Sequence, residues 1–328
     1  MKKITKHIIT AIKAGIAIGL IYYLVQSNSI EWSSLTGMTK IWELTLLAII
    51  LFTIVTILQS WRLHILINTH QLSLTFFSSV KLTFIGLFFN TYLPGATGGD
   101  LVKIYYASKG NPGSRTEVIT IILLDRFVGL FTLLSLPLIF SPFFMPLIES
   151  QPTLKGLLWV SMLIAIGIII VVILGAKYDL ENSKLIKWIE HKILFGKELK
   201  RILHTIHYYS NSKLIVLKVL FISFLAQSLM VGVSLLIAGA ILPQGADPKM
   251  LVLIPLGYFA NALPVTPGGI GVGEAVMESL FNLISLDGGA EVILGWRIVT
   301  VIVGIIGLIF YLKSDKKFIS KSDKDTED

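Results

Sequence analysis

Apolar residues along the chain are grouped into six long stretches that predict membrane-spanning helices. A helix needs about 20 predominantly apolar residues to cross the hydrocarbon core of a bilayer. The predicted spans are Ile8–Val25, Leu44–Trp61, Val118–Phe140, Gly156–Gly175, Leu214–Leu242 and Val292–Leu312. The first span follows a basic start, as a secretory signal does. Because no small-x-small cleavage pattern comes after it, we interpret it as a retained anchor helix.

Two shorter apolar stretches have a different character. Leu82–Leu93 and Leu251–Leu263 are each followed by proline and glycine, and about 12 residues are too few for a span. We predict that each is one arm of a broken, re-entrant helix. The predicted fold class is therefore an all-α integral membrane protein. It has about six full spans and two re-entrant broken-helix hairpins, arranged as an inverted repeat.

Composition and charge agree with this class. The chain is 54% hydrophobic and 15% charged, whereas soluble domains are about 25% charged. This excludes a soluble enzyme and a disordered protein, and the lack of cysteine excludes a disulfide-stapled domain. Basic residues mark cytoplasmic loops, so the net charge of +8 predicts topology rather than nucleic-acid binding.

The distribution of lysine and arginine predicts a multi-pass protein of the plasma (cytoplasmic) membrane with both termini in the cytoplasm. Most of the 28 basic residues, including Arg62 and Lys103, then fall in cytoplasmic segments. Three fall outside (Lys40, Lys155 and Lys249), and three remain within predicted spans (Arg126, Lys218 and Arg297).

Residues 1–313 are predicted to form one transmembrane domain, with a polar cytoplasmic loop at 176–213. Apolar residues recur at helical spacing among the lysines of this loop. That pattern fits either an amphipathic helix at the membrane surface or a solvated connector. Residues 314–328 alternate charged and small polar residues and are predicted to be a disordered cytoplasmic tail.

One motif occurs twice. Leu93–Gly99 aligns with Leu263–Gly269, and the leucine, the proline and the last two glycines match. Chance recurrence of a turn is the alternative, but matching residues surround both copies. They are an asparagine before the motif (Asn90, Asn261), an acid after it (Asp100, Glu274) and an arginine in the next span (Arg126, Arg297).

The two copies enter the predicted membrane from opposite sides, after Lys81 and after Lys249. The segments at about 81–140 and 249–312 are therefore predicted to be related by inversion. Inverted repeats with discontinuous helices are a recurring architecture of secondary transporters.

These two Pro-Gly blocks, with Asp125-Arg126 between them and Ile270–Glu274 after the second, resemble a known family. The family is the transmembrane region of lysylphosphatidylglycerol synthases, also called the UPF0104 or flippase-like family. The resemblance covers about Ile8 to Leu312. In full-length synthases a soluble domain makes lysyl-phosphatidylglycerol, and the membrane region moves it to the outer leaflet.

The resemblance implies the handling of an anionic or aminoacylated lipid. Related stand-alone members are linked to phospholipid, hopanoid or polyprenyl-linked glycan pathways. Only Lys313–Asp328 follow the last predicted span, so we expect no synthase domain, and lysyl transfer is disfavoured.

Candidate site residues surround the two motifs. A charged side chain at the bilayer centre costs at least about 2.5–3.5 kcal/mol and is usually paired or functional. Arginine matches phosphate with a planar, permanently charged fork. We predict that Arg126 and Arg297 hold a lipid phosphate; the alternative is that each pairs with a nearby acid. The remaining candidates are the helix-start amides of Gly98, Gly99, Gly268 and Gly269, together with Asn90 and Asn261.

The acidic residues allow two interpretations each. Asp100 contacts a cationic headgroup or carries a proton, or it is simply an acid in a first helical turn. Asp125 points to a different helix face from Arg126. Glu274 and Glu278 are four positions apart on one face. They carry a proton or bind an amine, or they pair with a partner such as Lys218.

The leading hypothesis is a lipid translocase with a midplane headgroup site. It would move an anionic or aminoacylated phospholipid or a polyprenyl-type lipid. The alternatives are a membrane lipid-modifying transferase that uses the carboxylates, an accessory subunit of a lipid or glycan pathway, and a non-transporting scaffold. No cofactor, metal or nucleic acid is expected, and the chain lacks a Walker A motif. A separate lipid-synthesising enzyme and a second copy of the chain are open as partners.

Overall fold

The computed structural model describes residues 38–70, 72–92, 98–177, 208–209, 212–263 and 271–313. The predicted anchor helix Ile8–Val25, the disordered tail and nearly all of the polar loop lie outside this part of the chain. So do Gly268 and Gly269.

The described residues form helices and no strands. A short 3-10 turn, Ser141–Phe144, joins the helices Arg115–Phe140 and Met145–Ser150. The helices are α1 (Trp42–Thr69), α2 (Phe76–Tyr92), α3 (Gly98–Gly110), α4 (Arg115–Phe140), α5 (Met145–Ser150), α6 (Pro152–Lys177), α7 (Lys213–Ile241), α8 (Met250–Ala262), α9 (Val272–Asn282) and α10 (Gly289–Lys313).

Within the described ranges, α1, α4, α6, α7 and α10 are long and apolar enough to cross a membrane. They confirm the five predicted spans that fall there. Their outer faces carry large exposed apolar side chains, such as Leu163, Ile170, Leu217 and Phe221. Such faces suit contact with lipid tails rather than water.

Two pairs of short helices form antiparallel hairpins. In the first hairpin, α2–α3, Gly86 lies against Lys103 and Gly99 lies against Asn90. In the second hairpin, α8–α9, Gly257 lies against Met277 and Gly273 lies against Asn261. Each pair turns back on itself, as the predicted broken re-entrant helix requires, although α2 begins at Phe76, earlier than predicted.

The internal repeat is longer than the predicted segments at 81–140 and 249–312. It also includes α1 and α7, whose first residues, Trp42 and Lys213, are 171 positions apart, as are Arg126 and Arg297. The halves are thus α1–α4 and α7–α10. The repeated motif does not extend to α1 and α7, whose sequences share only apolar character.

The two halves run in opposite directions. At one end of the α1–α7 contact, Leu44 lies beside Gly239. At the other end, Arg62 bonds to Ser223, so α1 and α7 are antiparallel. Each hairpin also packs through its first arm against the arginine-bearing span of the other half, α2 against α10 and α8 against α4. This exchange is the arrangement that an inverted repeat predicts.

Candidate functional site

The first hairpin is held closed at its break by an asparagine. The backbone N–H of Gly99 donates to Asn90 Oδ1 at 2.8 Å. A Cβ at position 99 would lie 2.0 Å from the Gly86 carbonyl oxygen, so only glycine permits this approach. The amide that was predicted to contact phosphate is therefore engaged by Asn90, and the buried Asp100 follows in the first turn of α3.

Asp100 lies between two cations, and we call Asp100, Lys103 and Arg126 the first cluster. One carboxylate oxygen pairs with Arg126 Nε, and the other lies 3.6 Å from Lys103 Nζ. The Arg126 side chain is 40% exposed, whereas those of Asp100 and Lys103 are 12% and 14% exposed. This contact corresponds to the alternative in which Arg126 pairs with a nearby acid.

Lys103 was not among the candidate site residues, because the sequence reasoning counted it only among the basic residues of the cytoplasmic side. In the structure it lies inside the first hairpin, with its stem lying across Gly86. Its spacing of three residues from Asp100 on one helix face could have indicated the contact.

The second hairpin carries the equivalent group of Asn261, Glu274 and Arg297, which we call the second cluster. Arg297 Nε donates to Glu274 Oε1 at 2.7 Å and Nη2 donates to Oε2 at 3.3 Å. Nη2 also donates to Asn261 Oδ1 at 2.9 Å. The partner of Glu274 is therefore Arg297 rather than Lys218.

Glu274 also fixes the start of α9. Its Oε2 accepts the N–H of Gly271 at 2.7 Å, and Gly271 has a φ of +80°, which favours glycine. Bidentate pairing between a carboxylate and a guanidinium adds geometric specificity as well as energy. The second cluster is consequently tied into the backbone of its own hairpin.

Glu278 and Glu274 have separate partners, although they share one face of α9. One turn further along α9, its Oε2 accepts the N–H of Ala290 at 3.0 Å. Ala290 lies in the first turn of α10, where N–H groups lack intrahelical partners and a negative charge is stabilising. Glu278 is therefore a helix-capping residue in this structure.

Asp125 belongs to a separate buried network that joins the two halves. Its Oδ1 lies 2.6 Å from Arg62 Nε, and Arg62 Nη1 donates to Ser223 Oγ at 2.7 Å. Ser223 in turn bonds to Thr132 at 2.8 Å. This network places Asp125 away from the first cluster, although the residue is adjacent to Arg126 in sequence.

Arg62 lies within helix α1, one position beyond the end of the predicted span, and not in a loop. Helix α1 continues for about two turns beyond Trp61, to Thr69, and the Arg62 residue is only 6% exposed. Polar residues between 62 and 69 lower the hydropathy there, and this ended the predicted span too early.

A cavity of about 550 Å³ lies between α1, α4, α6 and α7, with an almost wholly apolar lining that includes Phe131, Ile168 and Leu220. Leu124 and Val128 contribute the α4 wall. Arg126 is two residues from each of them and so lies on the opposite side of α4, since two residues turn by about 200°. The cavity suits hydrocarbon and is distinct from both clusters.

Leu66 and Tyr209 both line this cavity, and the hydroxyl of Tyr209 donates to the Leu66 carbonyl oxygen. Tyr209 precedes α7 and lies outside the spanning segments. Its burial raises the pKa of the phenol well above the ordinary value of 10.0, so the residue stays neutral and keeps its donor proton at physiological pH.

Comparison with known proteins gives one family and one relative. The model of the lysylphosphatidylglycerol synthase TM region matches residues 10–307. The chain is also similar to a UPF0104 membrane protein of Pyrococcus horikoshii, with 26% identity over 303 residues, 84% of this chain and 89% of that protein. No solved structure matches. The resemblance predicted from the two Pro-Gly blocks is thus confirmed.

Proposed function

The chain belongs to the lysylphosphatidylglycerol synthase TM region family, and from that premise we propose that it is a membrane lipid translocase. The proposal is supported by two oppositely directed hairpins, each with a carboxylate that pairs with an arginine of the following span where an apolar helix is broken. Broken helices at membrane depth are tolerated only where they are buried in protein or line a cavity. A site for a charged group is therefore a reason for both the break and the charges.

The proposed substrate is an anionic or aminoacylated phospholipid or a polyprenyl-type lipid. Its phosphate takes the place of Asp100 beside Arg126, so that the guanidinium keeps an anionic partner with and without the ligand. Lys103, whose ammonium has three donors and lies 3.6 Å from Asp100, stays beside the displaced carboxylate, so neither charge is left unpaired in a poorly hydrated region. The lipid tails stay in the bilayer, and the inverted halves give access from either side in turn.

We place this activity in the cytoplasmic membrane, with both termini inside. The support is the excess of lysine and arginine in the segments that this orientation makes cytoplasmic. A lipid-synthesising enzyme on the cytoplasmic side would then supply the substrate, and translocation would expose it on the outer leaflet.

The contacts of the carboxylates favour transport over acid–base chemistry. Asp100, Asp125 and Glu274 each pair with an arginine. A general acid or base must instead be within hydrogen-bond reach of the proton that it transfers to or from a substrate. These groups are already committed to other partners.

The test is to delete the gene in its native host and measure both lipid chemistry and leaflet distribution. We expect mass spectrometry to find the same lipid species, while labelling by a membrane-impermeant reagent finds less of one lipid outside. The wild-type gene and an Arg115→Gln variant should restore the distribution, because Arg115 is exposed on the same helix. Arg126→Gln should not restore it. Loss of a lipid species on deletion would instead show a lipid-modifying enzyme.

A further inference from the structure

Resting on the proposed function, we infer that the two clusters have different tasks. The first cluster binds the phosphate of the lipid headgroup through Arg126 and Lys103. The second cluster is a structural tie that holds its hairpin to α10. The ligand class is a phospholipid headgroup with a net negative charge, in which no ammonium group of the same headgroup balances the phosphate, as in phosphatidylglycerol.

Charge separates the two clusters. Among the described side chains that form it, the first cluster has two cations and one carboxylate. The second has one cation and one carboxylate. At the place where Lys103 faces Gly86 in the first hairpin, Met277 faces Gly257 in the second. An anion is therefore attracted to the first cluster, and the second is already balanced.

Exposure separates them in the same direction. The Arg126 side chain is 40% exposed, but that of Arg297 is only 13% exposed. Arg297 also donates two hydrogen bonds to Glu274 and one to Asn261. The exposed part of Arg126 is open to a ligand, whereas Arg297 is mostly buried and its partner Glu274 also accepts the N–H of Gly271 at the start of α9.

Lys103 is positioned as a second phosphate ligand. Its Nζ is 3.6 Å from Asp100 Oδ1, which is too long for a good hydrogen bond. A Cβ at Gly86 would lie 2.5 Å from Lys103 Cε, so the stem of the side chain depends on the bare glycine surface. A phosphate oxygen that displaces Asp100 would gain a charge-assisted hydrogen bond from each cation.

The experiment removes this charge and keeps the packing. Lys103→Met gives the first hairpin the side chain that the second hairpin already has. Lys109→Met is the matched control, because Lys109 is exposed on the same helix. Each purified protein is reconstituted into vesicles with fluorescent phosphatidylglycerol or phosphatidylcholine, and translocation is followed by quenching of the outer leaflet.

We expect the wild type to move phosphatidylglycerol faster than phosphatidylcholine. Lys103→Met should reduce the phosphatidylglycerol rate about tenfold, the factor that corresponds to about 1.4 kcal/mol, with little change for phosphatidylcholine. Lys109→Met should behave as the wild type. If Lys103→Met and Lys109→Met have equal preferences, the assignment of Lys103 is overturned while the proposed function stands. If the wild type is no faster than protein-free vesicles, the proposed function itself fails.

A second pair of variants keeps the lysine and moves it. In Gly86→Ala the new Cβ displaces the flexible end of Lys103, and in Gly257→Ala it displaces the flexible end of Met277. We expect only Gly86→Ala to lower the preference for phosphatidylglycerol. An equal effect of the two alanines would contradict a role for the lysine.

Thermal unfolding in detergent distinguishes a lipid phosphate from a free one. Short-chain phosphatidylglycerol should raise the midpoint of the wild type and not that of Lys103→Met, and inorganic phosphate should give a smaller shift. If inorganic phosphate gives the full shift and the lipid adds nothing, the ligand is a soluble anion and the lipid assignment is overturned.

Discussion

The buried ion pair between Arg62 and Asp125 gives the sharpest prediction about stability. The two charged atoms are 2.6 Å apart, and the side chains are only 7% and 10% exposed. Removing one partner of such a pair leaves an uncompensated buried charge and costs about 3–5 kcal/mol, whereas replacing both with apolar residues is often neutral. We therefore expect Asp125→Leu to lower the unfolding free energy by about 3–5 kcal/mol. Adding Arg62→Met should restore most of it.

The assay is a double-mutant cycle on unfolding in mixed detergent micelles, with a surface pair as the control. Lys249 and Asp247 are 3.5 Å apart, and their side chains are 42% and 26% exposed. Lys249→Met removes this surface pair and keeps the hydrogen bond from the Lys249 N–H to Asp247 Oδ1, so it should change the unfolding free energy by less than about 1 kcal/mol. Additive effects of Arg62→Met and Asp125→Leu, or a loss no larger than that of Lys249→Met, would refute the reasoning. Because Asp125 is assigned to this network, the double variant should also keep its transport activity.

Two further predictions concern the first hairpin and Tyr209. Gly99→Ala puts a Cβ against backbone atoms of Gly86. Overpacking of this kind costs about 1–3 kcal/mol of unfolding free energy, so the thermal unfolding midpoint should fall. Gly156→Ala meets no atom within 4 Å and should not lower it; equal midpoints for the two variants would argue against the hairpin contact. Because burial raises the Tyr209 pKa above 10.0, only the unfolded state ionises this phenol as pH rises past 10, so the wild type loses stability there. Tyr209→Phe should show a shallower loss in pH-dependent unfolding, and parallel curves would contradict the role of burial.

Hydropathy predicted most of the architecture because membrane spans are defined by composition over a long window. The five spans within the described residues and the two broken helices followed from it, and the repeated motif gave the correspondence of Arg126 with Arg297. The ends of helices did not, since polar residues that are buried by other helices look like loop residues in a window average. Arg62 is the example, because it donates hydrogen bonds to Asp125 and Ser223, and both of these partners are remote in sequence.

The pairing of charges was less predictable, because most of the partners are remote in sequence and only some of them recur in both halves. The repeat showed that an acid and an arginine recur in both halves, as Asp100 with Arg126 and as Glu274 with Arg297, but it did not show that they pair. Nothing recurs for Lys103, whose counterpart is Met277, or for Asp125. A repeat identifies only the residues that both halves share. Lys103 occurs in one half alone, and it gives the first cluster its second positive charge.

The most direct test of the central claim is lipid translocation by the purified protein in vesicles of defined composition. Fluorescent anionic phospholipid is incorporated in both leaflets, and dithionite added outside destroys the outer fluorescence. The account predicts that the wild type and Arg115→Gln allow nearly all of the fluorescence to be lost. Arg126→Gln, folded by the criterion of its unfolding midpoint, should stop near the half that protein-free vesicles lose. Equal loss with the wild type and with Arg126→Gln would contradict a headgroup site at Arg126.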